Sequence, residues 1–399
     1  MIEICKKHDC VGCGACISAC NKGAIFMHPD SLGFLYPVID QKRCVDCGLC
    51  VKSCFNNHKP TFIEPLKTCV GHVLKVEEQV TSTSGGLASV FMREIINNEG
   101  VVYGCSGENA HEVKHIRIEN IDDVNKLKGS KYVQSFMGLT CNSVVQDLKA
   151  NRTVLFIGTP CQVAGLKAYL KGKEYDNLFT VDFVCHGVPS QQILNDAIDA
   201  KVADNGNLRL VNRVKEGGKE SKYTLRLLKE GKIAYDQAYP SMGYITGFLS
   251  GLYYRENCYQ CQFARRERVS DITLGDFWDR YDYVKGLNNK KDGLSMIMVN
   301  TENGKKLMSM CKDSCELVEW DYEDFIKRNG QLKQPIHRHP KRDQFEELYC
   351  SKGFESAIKE SLKVDLNRIR KIILFNLIDS TLSTIPIIKI IYKQLKSIK

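Results

Sequence analysis

From residue 67 onward the chain alternates short apolar runs with stretches of helical periodicity. CVGHVLKV (69–76), VVYGC (101–105), HIRI (115–118), TVLFIG (153–158) and LFTVDFVC (178–185) read as strands. VSDITLGDFW (269–278) and LSMIMVN (294–300) extend that set. Between them, GGLASVFMREIINNEG (85–100) puts Leu87, Val90, Phe91 and Ile95 on one helical face and stops at Gly100. GLTCNSVVQDLKAN (138–151) and the capped PSQQILNDAIDAKV (189–202) are two further helices. SKYTLRLLKEGKIAYDQAY (221–239) predicts a hairpin turning at Glu230-Gly231. This alternation predicts an α/β body. Residues before 67 have a different texture, and NNHKPTFIEPLK, with Pro60 and Pro65, separates the two as a linker.

Cysteine usage changes the picture. The chain has 399 residues and 19 cysteines, with ordinary hydrophobic and charged fractions of 43% and 26%. Disulfide-dense scaffolds are short and secreted, whereas this chain is long and MIEICKKHDC lacks an apolar signal core. A reducing cytoplasm and metal-bound thiolates are therefore expected. CVGCGACISAC (10–20) and CVDCGLCVKSC (44–54) repeat one spacing, C-x2-C-x2-C-x3-C. This is the bacterial ferredoxin run, whose fourth cysteine ligates the other cluster. Zinc more often takes separated pairs. The spacing predicts one 4Fe–4S cluster on Cys10, Cys13, Cys16 and Cys54 and a second on Cys44, Cys47, Cys50 and Cys20. Gly12, Gly14 and Gly48 would let the backbone turn N–H groups toward sulfur. Asn21 and Phe55 stand where a proline often follows the fourth cysteine.

Three loops of the body suit phosphate or cofactor chemistry. TSTSGG (81–86) opens a helix and suits a diphosphate, or is a plain N-cap. LKGSKYVQS (127–135) sets lysines about Gly-Ser, or is a solvated turn. IGTPCQVAGL (157–166) ends a strand, where ligands of open α/β sheets bind. Cys161, Cys185, Cys258 and Cys261 lie near such strand ends. Four thiolates suffice for one cubane or one zinc, although isolated cysteines also serve as buried hydrophobes. Cys5, Cys69, Cys105, Cys141, Cys311, Cys315 and Cys350 share no spacing and read as core or surface thiols.

The ordered succession TSTSGGLASVF, LKGSKYVQS, GTPCQVAGL, VCHGVPS, CYQCQFA and DITLGDFWD resembles the family of coenzyme F420 hydrogenase/dehydrogenase beta subunits, over roughly residues 1–340. The resemblance implies a small two-cluster ferredoxin domain (1–58), an N-terminal FAD-binding part (67–160) and a C-terminal part (161–345). It implies FAD on Ser84, Gly85, Gly86, Lys128, Ser130, Tyr132, Gln134, Thr159 and Pro160. It also implies a third 4Fe–4S cluster on Cys161, Cys185, Cys258 and Cys261, with Asp271, Asp276 and Trp278 near the flavin. Arg265, Arg266 and Arg268 would neutralise cofactor phosphates or form a solvated face.

The formal charge of +9 gives no reason to invoke nucleic acid. Three clusters and FAD would each bring about two negative charges, and no basic stripe is interleaved with aromatics. Such cofactors would join a one-electron partner, ferredoxin or another redox protein, to a small organic hydride acceptor. The chain is thus expected to be a flavin-dependent oxidoreductase; an electron-wiring subunit with no substrate chemistry is the alternative. It carries no nickel-site motif and would not oxidise hydrogen alone. The basic, apolar tail (356–399) packs on the body or lies at an anionic membrane surface; Asp379 and Pro386 argue against a span.

Overall fold

The computed structural model describes residues 2–203, 206–215, 222–277 and 281–382, with backbone alone for Tyr281 and 364–382. In the N-terminal module, α1 (Ala15–Ala19) and α2 (Leu49–Lys52) flank the antiparallel pair β1 (Ile25–Pro29) and β2 (Leu35–Ile39). Each helix follows a glycine in the left-handed region, Gly14 at φ +76° and Gly48 at φ +69°. Other residues there would be strained by about 1–2 kcal/mol. β1 and β2 went unpredicted because each contains a proline, which a strand tolerates only at an edge or an end.

The module's own core is small: Ile4, Ile25, Cys50 and Cys54, with Ile17, Ile39 and Val51 partly enclosed. It gains stability by docking. Val11 and Phe55 are buried among Phe156, Val163, Leu166 and Phe263 of the body. Phe55 meets Phe263 edge-on, with ring centroids 5.4 Å apart. The residue that replaces the usual proline is thus a docking residue.

The body is a mixed eight-stranded sheet. Its strands are β3 (Lys67–Val73), β4 (Val101–Ser106), β5 (Lys114–Ile118), β6 (Val154–Ile157) and β7 (Leu178–Phe183), and later three more from the C-terminal half. A separate three-stranded sheet intervenes in sequence: β8 (Arg209–Val214), β9 (Lys222–Lys229) and β10 (Lys232–Ala238). The main sheet is completed by β11 (Ile272–Asp276), β12 (Ser295–Val299) and β13 (Cys315–Glu319), in the order β13-β3-β12-β11-β7-β6-β4-β5. β4, β6, β7 and β11 run parallel, and antiparallel strands complete both sides. One sheet therefore takes strands from both sides of residue 160.

Strand alternation supplies two faces. Val102, Leu155, Phe179 and Val181 join one core with the helix Leu87–Asn97. Val101, Tyr103, Val154 and Phe156 join another with the helices Thr140–Lys149 and Pro160–Tyr169. In chain order after α2, the helices are α3 (Val76–Val80), α4 (Leu87–Asn97), α5 (Val124–Leu127), α6 (Thr140–Lys149), α7 (Pro160–Tyr169) and α8 (Gln191–Asp199). They continue as α9 (Tyr244–Leu249), α10 (Glu302–Met310), α11 (Tyr322–Arg328) and α12 (Arg342–Leu382), the last broken at Gly353.

The predicted hairpin is β9–β10, and its turn residues Glu230 and Gly231 both have positive φ, as a two-residue primed turn requires. β8 escaped prediction because Asn212 and Arg213 are buried polar residues inside it. Cys311 ends α10 and Cys315 opens β13, with the Cys315 thiol donating to the Cys311 carbonyl at 3.2 Å. The tail reading falls mostly outside the described side chains, and residues 383–399 lie outside the described residues altogether. Among the described residues, no helix is long and apolar enough to cross a membrane.

Candidate iron–sulfur centres and the implied flavin contacts

Cys10, Cys13, Cys16 and Cys54 line one pocket, together with Cys5, Gly12 and Gly14. Main-chain N–H groups reach the four sulfurs: Gly12 to Cys10, Ala15 to Cys13, Ile17 to Cys16, Asn56 and Asn57 to Cys54. Donors aimed at sulfur favour thiolate and tune a cluster held there. The Cys5 thiol hydrogen-bonds Cys10 and Cys54, and by this their thiols are lowered to about 6 and about 7 while that of Cys5 is raised. Burial pushes Cys16 up to about 12. Cys5 was read as an unremarkable thiol because it lies outside the repeated spacing; the structure puts it in the same pocket.

The second set is more open. Cys50 lies within electrostatic reach of Cys20 and Cys47. Ala24 donates to the Cys20 sulfur at 3.3 Å, and Cys44 Sγ donates to Asp46 at 3.7 Å. Cys47 is exposed and Cys50 buried.

The third set comes from three separate parts of the chain. Cys161 lies in the first turn of α7, Cys185 follows β7, and Cys258 and Cys261 lie in and just after a 3-10 turn (Glu256–Gln260) beyond α9. The charges of Cys161 and Cys261 act on Cys185, and those of Cys161, Cys185 and Cys261 act on Cys258. Gly187 donates to Cys185, Val188 to Cys258, Phe263 and Ala264 to Cys261. Burial raises all four thiols, Cys161 to about 11. All four residues are half-buried. Among the described residues, no three Cys, His, Asp or Glu side chains converge on a point suited to a single ion.

α7 joins the first and third sets. A capping box at Thr159 and Gln162, with Pro160 in the first turn, starts this helix and fixes Cys161. Thr159 Oγ1 lies 3.1 Å from the Cys161 sulfur. Gly165 is four residues on and therefore on the same helical face as Cys161. A Cβ added at Gly165 would stand 2.7 Å from both Cβ and Sγ of Cys13. The two sets are thus about one helical turn, ~6 Å along the axis, from sharing a wall.

The residues that the resemblance implies for FAD lie on several segments of the body. Ser84 donates to Leu294 O at 2.5 Å, Gly85 packs on β3 and β12, and Gly86 precedes α4 at φ +87°. Lys215 Nζ is held there by the carbonyls of Gln79 (2.9 Å), Ser84 (2.6 Å) and Asp292. Burial lowers it to about 8. Lys128 pairs with Glu78 at 2.6 Å. Tyr132 stacks on Phe248 at 4.4 Å, with Ser130 hydrogen-bonded to its hydroxyl. Arg213 pairs with Asp276 at 2.5 Å beside them. Gln134 lies elsewhere: it donates to Val11 O at 2.7 Å and accepts from Arg255 at 3.1 Å. Asp271 binds Thr180 and Thr301 and ties β7, β11 and α10 together. Trp278 lies outside the described residues. Neither reading of the three arginines holds as a group: Arg265 pairs with Glu267, Arg266 with Glu64 and Glu323, and buried Arg268 with Asp182. Lys215 and Arg255 had no motif to announce them, although Arg255 stands three residues before Cys258.

Residues 151–324 match the family described as the C terminus of the coenzyme F420 hydrogenase/dehydrogenase beta subunit, and residues 9–57 match the 4Fe-4S dicluster domain. Residues 151–324 thus carry that family's C-terminal segment, joined to a 4Fe-4S dicluster domain. The chain is an iron–sulfur electron-transfer protein of the F420 hydrogenase/dehydrogenase type. The chain is 21% identical over 373 residues to the F subunit of F(420)H(2) dehydrogenase from Methanosarcina mazei, a match covering 88% of this chain and 96% of the relative. A structure of the F420-reducing NiFe hydrogenase complex from Methanosarcina barkeri aligns at 15% identity with a TM-score of 0.44, over 74% of this chain and 91% of that one. The family segment contains Cys161, Cys185, Cys258, Cys261, Arg213, Lys215 and Arg255; the loops at 81–86 and 127–135 precede it.

Proposed function

We propose that Cys10, Cys13, Cys16 and Cys54 hold one 4Fe–4S cluster, and that Cys20, Cys44, Cys47 and Cys50 hold a second. Cys161, Cys185, Cys258 and Cys261 hold a third, and the segments about Ser84–Gly86 and Lys128–Tyr132 take FAD. The contact of Gly165 with Cys13, one turn from Cys161, carries this reading, since it brings a body thiol set against the ferredoxin-type domain. When bound, the clusters would supply single electrons and FAD would supply exchange between single electrons and hydride. The chain's own residues hold and orient. Main-chain N–H groups of Gly12, Ala15, Ile17, Asn56 and Asn57 compensate thiolate charge at the first set. Lys215 and Gly86 offer a cation and a helix start for a diphosphate. Phe26, Val38 and Val45 are exposed on the module that carries the Cys44 set, an apolar surface for a ferredoxin-type donor or another subunit. Thiolate ligation by 12 of the 19 cysteines calls for a reducing compartment such as the cytoplasm. The hydride partner is a small organic molecule of the F420 type.

A second reading, an electron-wiring subunit without substrate chemistry, is favoured by the ion pairs that already engage Lys128 and Arg213. Anaerobic purification with an iron count, flavin extraction and a turnover screen of F420 against other acceptors tests both. Extractable FAD and turnover by the isolated chain are expected. Full iron with no flavin would leave the wiring subunit.

A further inference from the structure

Among the described residues, the buried arginines are paired with carboxylates, Arg342 with Glu346 for example, with one exception. Arg268 faces Asp182 and Arg213 faces Asp276. Arg255 is 1% exposed, and among the described residues it has no carboxylate in ion-pair contact. Its Nε donates to Cys10 O at 2.7 Å, and Nη2 donates to Leu35 O at 2.9 Å and to the Cys10 sulfur at 3.6 Å. Nη1 donates to Gln134 Oε1 at 3.1 Å, and the guanidinium lies 4.3 Å from the Tyr36 ring centroid and 5.7 Å from that of Phe34. The main chain of the same residue belongs to the third set: its N–H donates to Val188 O at 2.9 Å, and its carbonyl accepts from Cys258 N at 2.8 Å. Its charge also acts on Cys161.

An unpaired buried guanidinium is costly, and carbonyls and ring faces offset only part of that cost. The anionic groups around it are cysteine sulfurs from two sets. We propose that Arg255 is the shared counter-charge of the Cys10 and Cys161 sets, raising the reduction potential of a cluster on Cys10 and locking the N-terminal module onto the body. A fixed positive charge at hydrogen-bond distance from a ligand sulfur stabilises the reduced, more negative state. Each reduction adds one electron, supplied by an external one-electron donor.

This inference rests on the Cys10 set holding a cluster, so its test reads iron and potential separately. Full-length Arg255→Gln and Arg255→Lys are reconstituted anaerobically, iron is counted, and the reduced signals are titrated against potential by EPR. Loss of one signal in Cys10→Ser assigns it to the Cys10 set. With iron unchanged, Arg255→Gln is expected to disfavour reduction of that signal about tenfold, a midpoint lower by about 59 mV. Arg255→Lys stays near wild type, and the Cys44-set signal moves in neither. An unmoved Cys10-set midpoint in iron-replete Arg255→Gln overturns the proposal and leaves a structural tie. Should Arg255→Gln lose iron, Arg255→Lys decides: a wild-type midpoint supports the charge, and a lowered one refutes it. A wild-type chain with no iron on the Cys10 set would sink the cluster reading itself.

Discussion

Segments 10–20 and 44–54 have one cysteine spacing, yet one is enclosed and the other open. Around the first, a Cβ at Gly12 would meet Gln134 and Arg255, and one at Gly14 would meet Met137 and Gly138. Around the second, a Cβ at Gly48 would meet nothing within 4 Å, and Val45 is 59% exposed. The local backbone is nearly the same, a left-handed glycine followed by a short helix. What differs is the body: α7, the 134–138 segment and Arg255 cover the first copy. A duplicated ligand motif becomes directional through what packs on it. The covered copy faces inward to the third thiol set, and the open copy faces outward.

The largest effect that sharpens this contrast comes from the ligands. Cys161→Ser is expected to lose about four irons, since soft thiolates hold iron–sulfur cores, while both N-terminal sets and most flavin remain. Flavin reduction by a ferredoxin-type donor should slow by orders of magnitude, whereas photochemical reduction of the same flavin stays nearly unaffected. Stopped-flow traces at the flavin band read both. Wild-type rates would mean that Cys161 is a packed thiol.

Gly165→Val comes next. Its Cβ would fall 2.7 Å from Cys13 Sγ, so the Cys10-set EPR signal should diminish while the Cys44-set signal persists. Equal loss of both would contradict the asymmetry.

The repeat was legible because eight cysteines at fixed spacing leave few alternatives, and Gly14 and Gly48 turn where that spacing required. The hairpin at Glu230-Gly231 and the sheet strands rich in Val, Ile and Leu were legible through periodicity. β8 was not, because Asn212 and Arg213 are polar residues made tolerable by tertiary partners. Gln134 was assigned to flavin through its motif, but long-range packing turns it to Val11 and Arg255. The position of Arg255 between two sets depends on contacts over more than 200 residues, which no local pattern encodes.

A smaller effect separates the two glycines. Both alanine variants incur left-handed strain of about 1–2 kcal/mol. Gly14→Ala also crowds Met137 Cβ at 3.0 Å and Gly138 O at 3.2 Å, so it should cost more than Gly48→Ala in urea unfolding. Equal losses would mean that the body yields freely. The smallest effect lies at the open surface. Val45→Glu is expected to weaken donor docking by about 1 kcal/mol, read as a few-fold rise in KM for the one-electron donor with iron content unchanged.

The central claim is that the enclosed copy and the body thiols form one connected pair of centres, with the open copy beyond them. Anaerobic reconstitution with an iron count and EPR of the fully reduced chain tests this directly. The account predicts about twelve irons per chain, four for each set of cysteines. It also predicts a dipolar-broadened signal that Cys161→Ser simplifies and Cys44→Ser leaves broadened. About eight irons, with a spectrum unchanged by Cys161→Ser, would contradict it.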